Sequence, residues 1–350
     1  MKINFCTLFN SSYLSRGMVM YDSLLKNCDD FHLYIFAFDD VTYKYLTSQK
    51  LEHLTVISLN EFEDEELLKV KPTRSAAEYC WTCTASTILY SIKKFQLSNC
   101  TYIDADLLFY SNPKVLIEEM GNDSVLITEH RYSKEHEQSA TSGKYCVQFV
   151  TFKNDERGMK VLNWWREACL DWCYARHEDG KFGDQKYLDD WTTRFEGVHE
   201  LQHLGGGIAP WNVAQYSFST SNNKLKGTEI ATGEKFDVVF YHFHQVKFFD
   251  EPVVSISLAG YTISEDVKKY FYFPYVKLIN KKREFINSSD NSFNPNGTYG
   301  KSPMKPINAG TIVYYYLKDL KASIKNIFGR NLKYRIAHHY FYNLSDFKND

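Results

Sequence analysis

The 350-residue sequence lacks three features that would indicate a function class directly. Its formal net charge is only −2, so overall electrostatics give no reason to expect nucleic acid as a partner. No segment supplies about eighteen uncharged apolar residues in succession, and the apolar stretch at the start is too short for a signal peptide. No internal repeat is visible. We therefore expect a globular, cytoplasmic protein.

The eight cysteines come without a secretory signal, which indicates reduced thiols rather than disulfides. Two close pairs, Cys80 with Cys83 and Cys169 with Cys173, could together bind zinc. Both pairs fall within predicted helices, where they alternate with Trp and Leu. We interpret them as packing residues.

Apolar strands and helical stretches alternate over the first 115 residues. Strands are predicted at 3–8, 32–38, 55–59 and 101–103, and a helix at 18–25. A later helix is predicted from a cap at Asn154 or Asp155 to a stop at Gly180. This alternation predicts a Rossmann-type mixed, mainly parallel α/β sheet with helices on both faces. Ligands of such sheets bind beyond the carboxyl ends of the strands.

Two aspartates interrupt the apolar run CTYIDADLLFYSNP at the end of a predicted strand. Residues two apart on an extended segment point the same way, so Asp104 and Asp106 address one point, and the small Ala105 leaves room for a ligand. A hard divalent cation needs few carboxylates when phosphate oxygens fill its other positions, which suits a nucleoside diphosphate. Alone the pattern is weak, since exposed aspartates at strand ends are common.

Two histidines share one face of a predicted strand in DVVFYHFHQVK, residues 237–247. Alternation places His242 and His244 on the same side. A single histidine at such a position would be interpreted as a structural residue. Two histidines on one face, downstream of the aspartates, make a metal ligand as well supported as a structural residue. An imidazole beside carboxylates suits Mn²⁺ at least as well as Mg²⁺.

Two further segments carry polar or flexible residues. In KFGDQKYLDDW, Asp184 and Gln185 open a predicted helix, where an aspartate is an ordinary cap and exposed amides attract anions. In HLGGGIAPWN, residues 203–212, the glycines either let the backbone lie close to a ligand or make a turn.

These motifs, in this order, resemble a group of bacterial nucleotide-sugar-dependent glycosyltransferases of the GT-A fold, related to glycosyltransferase family 8. The resemblance rests on TYIDADLLFYSNP, GKYCVQFVTFKND, the WW…C…WC helix, GDQKYLDDW, GGGIAPWN and FYHFH, and runs from the first strand to about Lys247. It implies a GT-A-like fold and a metal-dependent transfer of a sugar from a nucleotide-diphosphate donor.

The resemblance also implies roles for particular residues. Asp104, Asp106 and His242 would hold Mn²⁺ or Mg²⁺, with His244 as the second choice. Catalytic contacts to the donor sugar would come from Asp184 and Gln185. The remaining donor-binding residues would be Thr7, Phe9, Asn10, Ala105, Gln148 and Lys247, where Gln148 reads a sugar hydroxyl and Lys247 clamps the diphosphate.

The family resemblance further implies retention of anomeric configuration, with a UDP-sugar as the first choice of donor and a saccharide or lipid-linked acceptor. Synthesis of lipopolysaccharide, capsule or another surface polysaccharide would be the setting.

Two other enzyme classes were weighed. His199, Glu200 and His203 form H-E-x-x-H, the zinc protease motif, which requires a helix. The glycines on both sides would restrict that helix to barely two turns. A sugar nucleotidyltransferase would use similar metal chemistry but carries a glycine-rich, basic loop after its first strand, and FNSSYLSRG matches that loop poorly.

The chain divides into three predicted parts. Residues 1–279 would form the GT-A-like domain, 280–310 a polar linker or loop rich in Asn, Ser, Gly and Pro, and 311–350 a basic, aromatic, helical tail. In the tail, Lys318, Lys321 and Lys325 share one helical face. That face is either solvated while the helix packs on the domain, or makes a peripheral contact with the inner face of the membrane.

Overall fold

A computed structural model describes residues 2–222, 224–250, 252–257, 261–301, 317 and 340–347. Strands and helices alternate from the start of the chain, as the sequence predicts. The elements up to residue 109 are β1 (Ile3–Phe9), α1 (Leu14–Asn27), β2 (Phe31–Ala37), α2 (Asp40–Ser48), β3 (Leu54–Ser58), α3 (Leu59–Phe62), α4 (Glu65–Val70), α5 (Ala76–Phe95), β4 (Asn99–Ile103) and β5 (Leu107–Phe109).

The second half contains further strands of the main sheet and three small sheets. Its elements are α6 (Lys114–Glu119), β6 (Val125–Glu129), α7 (Ser139–Ser142), β7 (Tyr145–Lys153), α8 (Glu156–Asp171), α9 (Trp191–Arg194), β8 (Val198–Glu200), β9 (Tyr216–Ser221), β10 (Lys224–Glu229), β11 (Lys235–Asp237), β12 (Phe240–His242), β13 (Lys247–Phe248), β14 (Val253–Ser255), α10 (Glu265–Val267), α11 (Phe273–Ser289) and β15 (Phe341–Asn343).

The main sheet has seven strands in the order β3-β2-β1-β4-β7-β6-β8. Neighbouring strands are parallel except at β7, which is antiparallel to both β4 and β6. Strand β5 is not part of this sheet and pairs instead with β12. The predicted mixed, mainly parallel α/β architecture is confirmed.

Alternating residues of β1 pack into two cores, one on each face of the sheet. Cys6 and Leu8 contact the core that includes α5 and α8, whereas Ile3 and Phe5 contact the core that includes α1. A sheet covered on both faces buries all of β1, as observed. The predicted placement of helices on both faces is therefore confirmed.

Side-chain caps begin the helices that flank the site. Asp155 accepts a hydrogen bond from the Gly158 amide at the start of α8, as the sequence predicts. Ser75 and Glu78 form a reciprocal capping box at the start of α5.

Helix α8 is shorter than predicted. It ends at Asp171, because Trp172 takes an extended conformation with φ −147° and ψ 121°. The chain then turns back, and the Gly183 amide donates to the Tyr174 carbonyl at 3.0 Å. Periodic aromatic residues continue past the true end of the helix, which explains the error.

The strand predicted at 237–247 is also shorter. Only β12 and the first residue of β13 lie at strand positions after Asp237, and Gln245 interrupts the run with φ +65°. His242 and His244 nevertheless remain neighbours, with ring centroids 5.7 Å apart.

The segment predicted as a linker begins with helix, since α11 continues to Ser289. The residues after it contact the domain: the Ser15 amide donates to the Pro295 carbonyl, and Asn296 is 2% exposed. The prediction of a linker or loop is therefore wrong for 280–289, which are helical, whereas several residues from 290 to 301 are exposed.

Most of the predicted tail, including its three lysines, lies outside the described residues. Within 340–347 the prediction of helix is wrong for β15, which pairs with β14 through main-chain hydrogen bonds. Tyr340, Leu344 and Phe347 are buried beside it. Among the described residues, no helix has the length and apolar character needed to cross a bilayer.

Candidate metal and donor site

Asp104 and Asp106 lie in the turn between β4 and β5, at the carboxyl end of β4. The Leu107 amide donates to the Asp104 carbonyl at 3.4 Å, and the Asp104 amide donates to Gln148. The Asp104 side chain is 30% exposed and that of Asp106 is 13% exposed. Both carboxylates therefore reach the edge of the sheet where ligands of parallel sheets bind.

Strand β12 places His242 against these carboxylates, because His242 is opposite Leu107 in the β5–β12 pair. Its Nε2 lies 3.1 Å from Asp106 Oδ1 and 3.6 Å from Asp104 Oδ2. One ligand atom from each of the three residues falls within 4.8 Å of the others. Among the described residues, this is the group that could hold a metal ion.

The donor set of this group fits a divalent cation. Two carboxylates and one imidazole suit Mn²⁺ or Mg²⁺ completed by ligand oxygens. The other ring nitrogen of His242, Nδ1, is 2.8 Å from Gln148 Oε1, so Nε2 is the atom directed at the carboxylates. Such support of a ligand histidine by a neighbouring acceptor is a regular feature of metal sites.

The charges of the site perturb one another. Burial raises the pKa of Asp104 to about 6, while His242 opposes the shift and Asp106 adds to it. Burial alone would lower the pKa of His242, but the Asp106 carboxylate raises it well above its ordinary value. Without a cation, the imidazole is therefore protonated and offsets the negative charge of Asp106.

His244 lies beside this group but differs electrostatically from His242. Burial and the charge of His242 lower the pKa of His244 to about 4. His244 is thus neutral at physiological pH, and it is not part of the three-residue group.

Asp184 is buried in the turn before a short 3₁₀ helix, Lys186–Asp190, which it does not cap. The Trp165 indole donates to its carbonyl at 2.9 Å. Burial raises the pKa of the Asp184 carboxyl to about 7, Thr84 opposes the shift by hydrogen bonding, and Asp104 adds to it. The alternative interpretation of Asp184 as a helix cap is therefore wrong, and its carboxyl is a buried group whose pKa is affected by the charge of Asp104.

The amide of Gln185 points to the end of α7, where its Nε2 donates to the Ser142 carbonyl at 2.5 Å. Lys247 is partly exposed, and its Nζ lies 4.8 Å from the centre of the Tyr299 ring. Its charge helps to lower the pKa of His244, after burial and the charge of His242.

The residues predicted to hold the nucleoside lie at the end of β1. Thr7 is fully buried, and its hydroxyl has no hydrogen-bond partner within the described part of the chain. Phe9 and Ala105 are also buried. Asn10 is exposed, and its side chain accepts from the Ser12 amide at 3.2 Å. Their role in binding a nucleoside stays a prediction.

Arg16 was missed from the sequence. Its side chain is 1% exposed and donates to the carbonyls of Ser12, Asn296 and Val246 at 3.2, 2.8 and 3.1 Å. Its positive charge helps to lower the pKa of Asp106, against the effect of burial. No spacing signal marks it, because two of its three partners come from segments about 230 and 280 residues away.

Trp211, in the glycine-containing segment, was also missed. Its ring meets those of His242 and His244 at centroid distances of 5.4 and 5.6 Å. Its indole nitrogen is buried without a hydrogen-bond partner among the described residues. The sequence offered only its position after the glycines as a signal.

The helix that the zinc protease motif requires is not formed. His199 and Glu200 lie in β8, which is a strand. His199 Nε2 is 2.8 Å from a Glu119 oxygen, and Glu200 is paired with Lys144 at 2.7 Å. These contacts, and the hydrogen bond that His203 Nδ1 accepts from the Gly205 amide, account for the three motif residues as structural groups.

No family model matches this chain. Two proteins of Bacillus subtilis (strain 168) are similar in sequence. The uncharacterized protein YfnD is 29% identical over 284 residues, which cover 80% of this chain and 89% of YfnD. The uncharacterized protein YfnF is 32% identical over 247 residues, which cover 68% of this chain and 80% of YfnF. This chain belongs to the YfnF family.

Solved structures give more distant likenesses to this chain. The galactosyltransferase LgtC, in complex with donor and acceptor sugar analogs, is 11% identical, with a TM-score of 0.46 over 80% of this chain and 96% of LgtC. Mouse xyloside xylosyltransferase 1 in its apo form is 12% identical, with a TM-score of 0.41 over 60% of this chain and 87% of that protein. Values this low carry no conclusion about activity.

Proposed function

We propose that this chain is a metal-dependent glycosyltransferase of the GT-A type, which moves a sugar from a nucleoside-diphosphate donor to a saccharide or lipid-linked acceptor. The observation that supports this most is the convergence of Asp104, Asp106 and His242 beyond the carboxyl end of β4. Three protein ligands leave coordination positions of Mn²⁺ or Mg²⁺ for phosphate oxygens. The exposed fraction of Asp104 gives a ligand access to them.

Positive charge from the protein would support the leaving diphosphate. A divalent cation at Asp104 and Asp106, when bound, neutralises negative charge on phosphate oxygens. Arg16, buried near Asp106, and Lys247, near His244, would supply fixed positive charge on the protein side.

Asp184 and Gln185 are proposed to face the donor sugar, and Thr7, Phe9 and Asn10 the nucleoside. We expect retention: the bond from the anomeric carbon to the diphosphate breaks, the bond to the acceptor oxygen forms on the same face, and the leaving phosphate oxygen takes the acceptor proton. A UDP-sugar is the first choice of donor. NMR of the product would contradict this mechanism if the anomeric configuration were inverted.

We propose that the chain is a cytoplasmic enzyme and that it takes part in the synthesis of a surface polysaccharide, such as lipopolysaccharide or capsule. A lipid-linked acceptor would lie at the inner face of the membrane. The basic tail, with its lysines at 318, 321 and 325, would then bring the domain to that surface.

A thermal-shift screen tests the donor site. UDP, GDP, CDP and their sugars are each added with Mn²⁺, Mg²⁺ or EDTA to wild type, Asp106→Asn and the exposed control Asp179→Asn. We expect one nucleotide to stabilise wild type and the control only with metal, by about 2.7 kcal/mol at a hundred times its Kd. Asp106→Asn should lose this response.

A nucleotide response that survives both EDTA and Asp106→Asn would contradict the proposal. The absence of any nucleotide response in wild type would contradict it as well. Metal-dependent binding without release of the nucleoside diphosphate from any sugar donor would also contradict it, because it would indicate a binding protein rather than an enzyme.

A further inference from the structure

Gln148 contacts both segments that carry the metal-ligand candidates. Its main-chain carbonyl accepts from the Asp104 amide at 3.1 Å. Its side-chain oxygen lies 2.8 Å from His242 Nδ1. Because Gln148 lies in β7 and is fully buried, both contacts are held by the main sheet. One residue thus links the β4–β5 turn to β12.

The contact with Gln148 determines which nitrogen of His242 is available. An amide oxygen only accepts hydrogen bonds, so Nδ1 must carry the proton that is donated to it. Nε2 is then the nitrogen with a lone pair in the neutral ring, and it lies on the side of Asp106 and Asp104. This is the tautomer that can bind a cation there.

If the oxygen and nitrogen of the Gln148 amide were exchanged, the neutral His242 ring would take the other tautomer. A Gln148 nitrogen facing Nδ1 would donate to it and force the proton of the neutral ring onto Nε2, where it blocks a cation. In the observed orientation, the Gln148 nitrogen is buried and has no hydrogen-bond partner among the described residues. The hydrogen bond of the amide to His242 is thus the side-chain hydrogen bond that the described part of the chain gives to Gln148.

Gly207 packs against the same amide. It has φ +95°, and a Cβ placed there would lie 3.2 Å from the Gln148 nitrogen and 2.8 Å from a Thr128 methyl. The next residue, Ile208, accepts from the His242 amide at 2.8 Å. The glycine segment therefore covers the Gln148–His242 pair and limits its movement.

We infer that Gln148 is a positioning residue of the metal site: its amide oxygen fixes His242 as the Nδ1–H tautomer and presents Nε2 to a divalent cation held by Asp104 and Asp106. This inference rests on the proposed function. It replaces the role suggested by the family resemblance, because a fully buried side chain bonded to His242 is not placed to read a sugar hydroxyl.

The affinity for Mn²⁺ alone tests whether Gln148 supports metal binding. Electron paramagnetic resonance measures the concentration of free Mn²⁺ in the titration. Gln148→Met keeps the length of the side chain but removes the acceptor, whereas Gln148→Glu restores an acceptor. Gln215→Met is the matched control, because that amide donates to the Arg131 carbonyl away from the carboxylates. We expect about 10- to 100-fold weaker binding in Gln148→Met, and binding within a few fold of wild type in the other two.

Proton NMR of the metal-free, histidine-labelled protein tests the orientation independently of metal and activity. The Nδ1 proton of His242, assigned by its loss in His242→Gln, should give a resonance protected from exchange in wild type and Gln148→Glu. In Gln148→Met that resonance should disappear, while the melting temperature shows that the variant is folded.

The two readouts separate failure of the inference from failure of the proposed function. Unchanged Mn²⁺ affinity in Gln148→Met, or an unchanged Nδ1 resonance, would overturn the role of Gln148. If wild type binds no Mn²⁺, the metal-dependent function is contradicted together with the metal role of His242. The resonance then still decides whether Gln148 orients the ring.

Discussion

His242 Nε2 lies 3.1 Å from Asp106 Oδ1, and this contact joins the small β5–β12 sheet to the edge of the main sheet. The carboxylate raises the pKa of the imidazole well above 6.5, although burial opposes the shift. A raised pKa contributes stability below the unfolded value of about 6.5, and that contribution is lost as pH rises through the folded value.

His242→Gln should therefore destabilise the metal-free protein most at low pH. In EDTA, we expect a loss of about 3 kcal/mol in the free energy of unfolding at pH 6, because Asp106 loses its buried partner. The difference in the free energy of unfolding between wild type and His242→Gln should be smaller at pH 9, because the His242 imidazole of wild type is closer to losing its proton there. Urea denaturation at both values measures it, with the exposed His177→Gln as the control. A difference that grows with pH would contradict the charge assignment.

Asp184→Asn should stabilise the protein at neutral and alkaline pH. The folded protein keeps the Asp184 proton up to a pKa of about 7, whereas the unfolded chain releases it near 4. Wild-type stability therefore falls as pH rises between these values. The neutral amide removes this loss, so we expect a gain on the order of 2 to 4 kcal/mol at pH 8 and little change at pH 4.

Denaturation across this pH range checks the Asp184 prediction. Asp179→Asn is the matched control, since Asp179 is exposed in a turn. If Asp184→Asn shows the same pH profile as wild type, the carboxyl is not held protonated by burial. The same variant should lose glycosyl transfer, which separates stability from activity.

Arg16 is expected to be required for stability even where no substrate is present. Arg16→Met leaves three carbonyls without their donor, and Arg16→Lys cannot reproduce the planar fork. We expect both variants to lose about 2 to 4 kcal/mol in the free energy of unfolding. Arg157→Met, which removes one exposed hydrogen bond to Asn122, should lose less than about 1 kcal/mol. Equal effects of Arg16→Met and Arg157→Met would contradict this.

The membrane hypothesis requires substitution rather than deletion. A truncation at residue 310 would remove β15 and the buried side chains around it, so loss of folding would mimic loss of binding. Changing Lys318, Lys321 and Lys325 together to Gln removes charge alone. At about 1 kcal/mol per lysine, this should weaken binding to anionic vesicles roughly 100-fold.

Vesicle sedimentation measures the effect of the tail lysines, with nucleotide binding as a check that the site is intact. The control changes three exposed lysines of the domain, Lys26, Lys44 and Lys235, to Gln. Equal partitioning of wild type and the tail variant would show that these lysines do not bring the protein to a membrane.

Local patterns in the sequence were enough to predict the alternating strands and helices of the sheet and the two aspartates of the candidate metal group. Strand and helix periodicity marks the order of elements, and two-residue spacing marks Asp104 with Asp106. Alternation on a strand placed His242 and His244 on one face, and the family resemblance gave His242 as the first choice of ligand. The structure keeps the pairing of His242 with His244 although the strand ends early at Gln245.

Features that depend on distant segments could not be predicted. Arg16 is bonded to carbonyls near Val246 and Asn296, and the function inferred for Gln148 depends on a histidine 94 residues away. Composition misled the prediction for 280–289, because the polar residues on the exposed side of a helix resemble those of a solvated loop. The helical pattern of the tail likewise conceals β15, whose partner lies far back in the chain.

The pairing of β15 with β14 affects how the protein is made. Ser255 is joined to Phe341, so the β13–β14–β15 sheet cannot form until residue 341 has left the ribosome, long after β14 has been made. Closing so long a loop is slow compared with local pairing. Until it closes, the apolar surface that Tyr340, Leu344 and Phe347 later cover is open to chaperones and to other nascent chains.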